Sequence, residues 1–323
     1  MRKRVIGIGN ALVDALVLVS DDKILEELEL PKGSMQLIDT DRYHKISERM
    51  ASMDVKRATG GSASNTILAL ANLNAEPGFI GRVSDDENGR FFADNCKQLG
   101  IVANLLPDTL PTGVASTFIT PDGQRTFGTY LGAAARMTAS DVRPEWFEGY
   151  SYFYIEGYLV QNHDLIECAV DMAHKAGLKV CLDLASYNIV EEDRDFFAYL
   201  LEKTDIVFAN EEEAFAYTHK DPYDAVDELA SLCEIAVVKV GKDGSIARCG
   251  QYKAQVPALV VDKVVDTTAA GDFFAAGFLY NHARERSLEE CLYAGSLLAG
   301  NVIQVVGSKL SQETWMNIRE QIQ

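Results

Sequence analysis

Seven consecutive residues, Asp266-Thr267-Thr268-Ala269-Ala270-Gly271-Asp272, set two carboxylates in a stretch of otherwise small side chains. The apolar-periodic run FFAAGFLYNHARE follows, so a helix is expected to begin near Gly271. Backbone N–H groups in the first turn of a helix lack intrahelical partners, and the helix dipole favours negative charge there. With no bulky side chain in the way, a phosphate can approach that backbone closely. Asp272 would stand at the same helix start, able to take a proton from a hydroxyl attacking phosphorus. The helix N-terminus is expected to keep its carboxylate ionised. An aspartate that merely caps a tightly packed helix would leave the same seven letters.

Three other segments carry suitable chemistry. Gly60-Gly61-Ser62-Ala63-Ser64-Asn65 opens a helix with Ile67, Leu70 and Leu73 on it, placing amides and short polar groups at its start. Asn65 can both donate and accept, which suits a polyhydroxylated ligand, although a glycine-rich turn and cap read the same way. Asn210-Glu211-Glu212-Glu213 follows the strand-like IVFA and has capping-box spacing. Its functional reading has Asn210 and Glu213 holding the water shell of Mg²⁺, an ion that keeps several waters. Lys239-Val240-Gly241-Lys242-Asp243-Gly244 could approach a nucleotide by its backbone, or be an ordinary strand-to-turn connection.

The elements that must position these segments alternate short apolar strands with longer helical periods. Strands are expected at Val5–Ile8, Phe79–Ile80, Tyr152–Ile155, Lys179–Leu182, Ile206–Ala209 and Ile235–Val240. Helices are expected over Asn65–Leu73, Phe91–Leu99 and Asp164–Lys175, the last two stopped by Gly100 and Gly177, and after the Ser287-Leu288-Glu289-Glu290 capping box. This rhythm implies an α/β fold, a mostly parallel sheet sandwiched by helices. Val114–Thr120 and Gln124–Tyr130, joined by Pro121-Asp122-Gly123, read as a β-hairpin. Residues 15–55 are charged and irregular. Without a repeat or linker the chain is expected to be one domain, residues 1–323, with excursions at about 12–56 and 104–136 forming a small β-sheet lid.

The 323 residues carry 30 Lys and Arg against 48 Asp and Glu, a net charge of −18, which disfavours nucleic acid and anionic membrane as partners. No run of 18 or more apolar residues occurs. Asn10 and Asp14 interrupt the apolar start, no small-residue cleavage site follows, and a cytoplasmic location is expected. The six cysteines form no C-x-x-C pair and read as free buried thiols. Gly7-Ile8-Gly9-Asn10-Ala11-Leu12 lacks the third glycine of a dinucleotide fingerprint, and no P-loop, nucleophile elbow or metal-ligand histidine spacing exists.

Together the segments resemble the ribokinase-like (PfkB) carbohydrate kinases. GGSASNTILALANLNAEPGFIGRVSDDENGRF and DTTAAGDFFAAGFL match the two family signatures, in order and about 200 residues apart, with N-x-x-E and K-x-G between them. The resemblance implies phosphoryl transfer from MgATP to a hydroxymethyl oxygen. By motif position Asp272 is the implied base, and Ala269, Ala270 and Gly271 the anion hole. Asn10, Asp14, Gly60, Gly61 and Asn65 are implied acceptor contacts; Asn210 and Glu213 serve magnesium and phosphate. Lys239, Gly241, Gly244, Thr268 and Asn301 fall on the nucleotide side. A monovalent cation, K⁺, is implied beside Asp266 and Thr268. The usual first glycine of G-A-G-D is Ala269 here, a strained choice if φ is positive at that position.

Gly9-Asn10-Ala11-Leu12-Val13-Asp14, Pro111-Thr112-Gly113 and TPDGQRTFGTYLGAAA look most like the adenosine kinase branch. There an arginine at the Arg125 position helps hold phosphate. Phe118, Phe127 and Tyr130 on the hairpin are candidate walls for a purine. A sugar acceptor stays open: an acidic sugar would need a cation such as Arg57, Arg125 or Arg136. A non-catalytic binding protein on the same scaffold is a further alternative. The expected partners are a nucleoside or sugar and ATP, for a monomer or homodimer.

Overall fold

A computed structural model of the chain describes residues 3–122 and 124–322. Fourteen strands occur among them: β1 Val5–Ile8, β2 Leu12–Leu18, β3 Met35–Leu37, β4 Lys56–Gly60, β5 Gly78–Ser84, β6 Val102–Asp108 and β7 Gly113–Ile119 come first. They are followed by β8 Arg125–Tyr130, β9 Tyr152–Glu156, β10 Lys179–Asp183, β11 Ile206–Asn210, β12 Ile235–Lys239, β13 Ser245–Cys249 and β14 Tyr252–Val256. A nine-stranded sheet runs β14-β13-β12-β11-β10-β9-β1-β5-β6. From β12 to β6 every pairing is parallel; only β13 and β14 are antiparallel.

Alternation along the central strands divides their side chains between two cores. Tyr152, Tyr154, Cys181, Ile206, Phe208, Ile235 and Val237 join one, while Phe153, Ile155, Val180, Leu182, Val207, Ala209, Ala236 and Val238 join the other. Burial on both faces is what their continuous apolar composition encodes. Helices Ser62–Asn72, Ala270–His282 and Leu288–Val302 cover the first face, and His163–Lys175, Arg194–Leu201 and Glu211–Thr218 the second. Gly277 sits so near the Ala294 backbone that a Cβ would collide with it, which lets the helix carrying Asp272 lie directly on its neighbour.

The small sheet, β3-β8-β7-β2-β4, draws on both expected excursions. β6, which overlaps the start of the second, pairs instead in the large sheet. The irregular 15–55 stretch supplies β2, β3 and two helices, Lys23–Glu27 and Thr40–Met50. Ile24, Leu25, Ile46 and Met50 cover one face of the small sheet, against Ala15, Val17, Val114, Phe118 and Tyr130. The hairpin forms as expected, Val114 opposite Tyr130. At its turn the Thr120 hydroxyl donates to Asp122 (2.6 Å); Gly123 lies outside the described residues. All six cysteines are free, but only Cys96, Cys181 and Cys291 are buried; Cys168, Cys233 and Cys249 are half-buried. No described helix is long and apolar enough to cross a membrane.

Candidate active site

Parallel strands β1, β9, β10, β11 and β12 all end on one edge, and each ends in or just before a polar residue. In spatial order these are Asn10, Glu156, Asp183, Asn210 and Lys239. A cleft of about 1280 Å³ opens at this edge, where ligands bind in open α/β sheets. The five polar residues line it together with Asp272, the small sheet forming the facing wall. Its volume exceeds the several hundred Å³ usual for one small ligand and suits two substrates end to end.

Two helix starts meet in the middle. The helix Ala270–His282 follows Ala269, whose φ is +62° and whose methyl group cannot cap the helix, so no side chain takes its first N–H groups. The helix Ser62–Asn72 follows Gly61, at φ +95°, where a Cβ would run into the Asn10 carbonyl. Between them lies Asp272: Ser62 Oγ donates to one carboxylate oxygen (2.7 Å), Asn65 Nδ2 to the other (2.9 Å). Thr66 Oγ1 donates to the Asp272 carbonyl (3.1 Å), binding the helices together. Asn65 Oδ1 is buried without a partner, an acceptor left for a ligand donor.

Burial is the largest influence on the Asp272 carboxyl and pushes it up to about 7, with Asp183 acting in the same direction. Ser62, Asn65 and Lys239 pull it down, but less. The expectation of a carboxylate kept ionised by the helix terminus is therefore corrected: desolvation outweighs the dipole. Asp14, on β2 opposite, also rises to about 7 through burial and then the charges of Asp272 and Asp266. Lys239 Nζ pairs with Asp183 (3.1 Å). Burial works to lower the Lys239 ammonium, yet Asp183 and Glu213 outweigh it and hold it above its usual range. Asn210 and Glu213 form the expected capping box: the Glu213 carboxylate accepts from the Asn210 amide N–H (2.7 Å) and Nδ2 (2.8 Å). Both residues line the cleft.

Most sequence candidates converge here. Asn10, Asp14, Gly61 and Asn65 line one half, and Asn210, Glu213, Lys239, Gly241, Gly244, Thr268, Ala269, Ala270 and Gly271 the other. Five do not line it, among them Asp266, whose side chain is buried behind the segment that does. Gly60 pairs with Leu12 beneath Asp14, whose carboxylate fills the space a Cβ would need. Tyr130, like Phe118, points to the covered face of the small sheet, where its ring stacks on Tyr43, because alternation along β8 sends Phe127 and Thr129, not Tyr130, to the cleft. Asn301 turns back to the Leu297 carbonyl (2.8 Å) within its helix. Arg125 pairs with the buried Asp266 instead. Arg57 pairs with Glu87 and Arg136 with Asp108, so none of the three arginines faces the cleft.

Sequence reasoning passes over Glu156, Asp183, Tyr158, Met35 and Leu37. Glu156 is buried and accepts three N–H bonds, from the Asn10 amide (2.9 Å) and Nδ2 (2.5 Å) and from Ala63 (2.8 Å), fixing Asn10 against the helix start. Burial nonetheless lifts its carboxyl to about 7. The available signal was a single polar residue ending each apolar strand. Met35, 53% exposed, and Leu37, 62% exposed, present apolar surface to the cleft beside Phe127 and Tyr158.

A helix-sandwiched, mostly parallel sheet, with a large cleft at its strand ends and a small second sheet for a wall, is the ribokinase-like kinase architecture. The pfkB family carbohydrate kinase domain matches residues 33–315, and the chain belongs to that family, whose members transfer phosphate to hydroxyl groups. An adenosine kinase of Sinorhizobium meliloti superposes with a TM-score of 0.88 at 35% identity, covering 99% of this chain and 100% of that one. Adenosine kinase 2 of Arabidopsis thaliana is 26% identical over 94% of each chain. A 5-dehydro-2-deoxygluconokinase of Geobacillus kaustophilus is 27% identical over 82% of this chain and 84% of its own.

Proposed function

We propose that this kinase transfers the γ-phosphoryl group of MgATP to the primary hydroxyl of adenosine or a closely related ribosyl compound. The observation that carries the reading is the make-up of the acceptor half. Asn10, Asp14 and Asn65 supply polar groups on one side, and Leu37, Phe127 and Tyr158 an apolar and aromatic wall. The only cations lining the whole cleft among the described residues are Lys239 and Lys242, both in the nucleotide half. An anionic acceptor such as a keto-deoxy acid would enter between Asp14 and Asp272 with no charge partner. A planar, neutral base gains by covering the exposed Leu37 and the Tyr158 ring. The adenosine kinase relatives support the same choice.

In this reading Asp272 orients the acceptor hydroxyl and takes its proton as the new bond to phosphorus forms. The uncapped N–H groups after Ala269 stabilise the transferring phosphoryl oxygens. Lys239, held by Asp183, contributes positive charge at the nucleotide end. Glu213 and Asn210 fit a hydrated rather than a directly ligated divalent ion, because each Glu213 oxygen already accepts an N–H and can still hold a metal-bound water. The metal, arriving with the nucleotide, would offset phosphate charge. The small sheet acts as the lid that excludes water, and a cytoplasmic setting suits an enzyme using ATP.

The test is kcat/KM over an acceptor panel of adenosine, other nucleosides, ribose, fructose and keto-deoxygluconate. Adenosine is expected to lead ribose by roughly a hundredfold or more, the discrimination one buried aromatic-walled pocket affords. Preference for ribose or fructose would keep the kinase and discard the nucleoside wall. Preference for the keto-deoxy acid would overturn the electrostatic reasoning. ATP binding with no ADP formed would favour a non-catalytic protein.

A further inference from the structure

The carboxylates of Asp266 and Asp272 belong to one seven-residue segment but have opposite surroundings. Asp272 faces the cleft, whereas the Asp266 side chain is 2% exposed and enclosed by protein. Its Oδ1 accepts the Thr268 N–H (2.9 Å), and its Oδ2 accepts the Gly307 N–H (2.6 Å) as well as the Arg125 guanidinium. Asp266 is further stitched to the end of the helix Leu288–Val302 through its own N–H and that of Val265, both donating to the Ile303 carbonyl (3.1 and 2.7 Å). A buried carboxylate needs a counter-charge. Two sources are conceivable beside this anion hole: the monovalent cation implied by the family resemblance, or a side chain. Here a guanidinium from the first residue of β8, itself only 14% exposed, already pairs with Oδ2, and each oxygen also accepts a backbone N–H, on the carboxylate beside which the resemblance puts the cation. Two cations against one oxygen repel each other, so K⁺ does not fit while Arg125 is in place.

We propose that Arg125 supplies, from the small sheet, the fixed positive charge beside the anion hole, so that this protein works without a monovalent cation. The inference rests on reading residues 266–272 as the anion-hole segment. It has a mechanical corollary: the pair ties the lid strand β8 to the loop two residues before Thr268, so the position of the small sheet and the shape of the anion hole are coupled. Arg125 is thus a positioning residue for the phosphate site.

The test compares KCl, NaCl and choline chloride at matched ionic strength. Melting temperature is read first because it needs no turnover, so its failure is distinct from failure of the kinase reading. ADP formation with adenosine is read second. Wild-type protein is expected to give the same melting temperature and, within about twofold, the same kcat in all three salts. Arg125→Gln vacates the oxygen; KCl is then expected to raise its melting temperature by about 2 °C or more and its kcat roughly tenfold over choline. Arg125→Lys, which keeps a cation there, should stay indifferent to salt, and it decides the matter together with wild type if the glutamine variant does not fold. K⁺ stabilisation or activation of the wild type would overturn the proposal. So would an Arg125→Gln protein that folds and ignores K⁺, or an Arg125→Lys protein that requires it.

Discussion

In the proposed reading the phosphate end of the cleft is one contiguous segment, Thr268 to Asp272, whereas the acceptor end is assembled from Asp14, Leu37, Phe127 and Tyr158 on four separate stretches of chain. In the first, the groups offered are backbone N–H donors that no side chain caps. Their geometry is set by a left-handed Ala269, an absent cap and small neighbours, all properties of adjacent residues. At the acceptor end the groups are side chains whose facing depends on strand register, Met35 opposite Phe127 and Asp14 opposite Ala115. Local chemistry is written in local sequence; a wall built across strands becomes visible only once the pairing is known. On the proposed function the same contrast separates reaction class, assigned to the first segment, from acceptor choice, assigned to the facing wall.

Changes at the two ends should therefore fail differently. The largest effect is expected from Asp272→Asn, which keeps the Ser62 contact geometry but removes the base: kcat should fall roughly a thousandfold or more while ATP affinity changes little. Titration calorimetry beside steady-state kinetics checks both halves; a near-normal kcat would break the assignment. Next come Phe127→Ala and Tyr158→Ala, each expected to lower kcat/KM for adenosine roughly tenfold and to leave ribose, which lacks a base, almost unaffected. Equal losses for both acceptors would mean that the wall is structural rather than selective.

The pH dependence sharpens the comparison further. Asp272 must be ionised to accept a proton, and its carboxyl sits at about 7, so kcat/KM should fall roughly tenfold per pH unit below that value and level off above it. Stability should move the other way. Asp14, Glu156, Glu213 and Asp272 hold their protons to about 7 in the folded chain but lose them at ordinary carboxyl values when unfolded. Their contribution is full below the unfolded values and is lost as pH rises through about 7, which melting curves across that window would register. The smallest effect is expected from Ala269→Gly. Relief of a positive-φ alanine should stabilise the fold by about 0.5–1 kcal/mol in urea unfolding, with the helix start unchanged.

Much of this was readable before any fold was known. The strand–helix rhythm located the central strands because they are buried on both faces, and the capping boxes at Asn210 and Ser287 formed at their sequence spacing. The 15–55 stretch resisted because β3 has three residues, none of them buried, and the helix Thr40–Met50 buries only Ile46 and Met50. Tyr130 and Phe118 were misplaced for the period-2 reason: an aromatic on a hairpin has two faces to choose from, and Lys23–Glu27 and Thr40–Met50 cover the one they took. Glu156 and Asp183 escaped because a single acidic residue after an apolar strand has no motif. Only the parallel order of the strands brings them into one row. Motif position points Arg125 to the phosphate but carries no information about its pairing with Asp266, which lies 141 positions further along the chain.

The most direct test of the central claim is to incubate the wild-type protein with MgATP and adenosine and follow both products. AMP and ADP are expected to appear in equal amounts, with the phosphate on the primary hydroxyl of the ribose. ADP without AMP, or AMP formation no faster than phosphorylation of free ribose, would contradict the acceptor site described here.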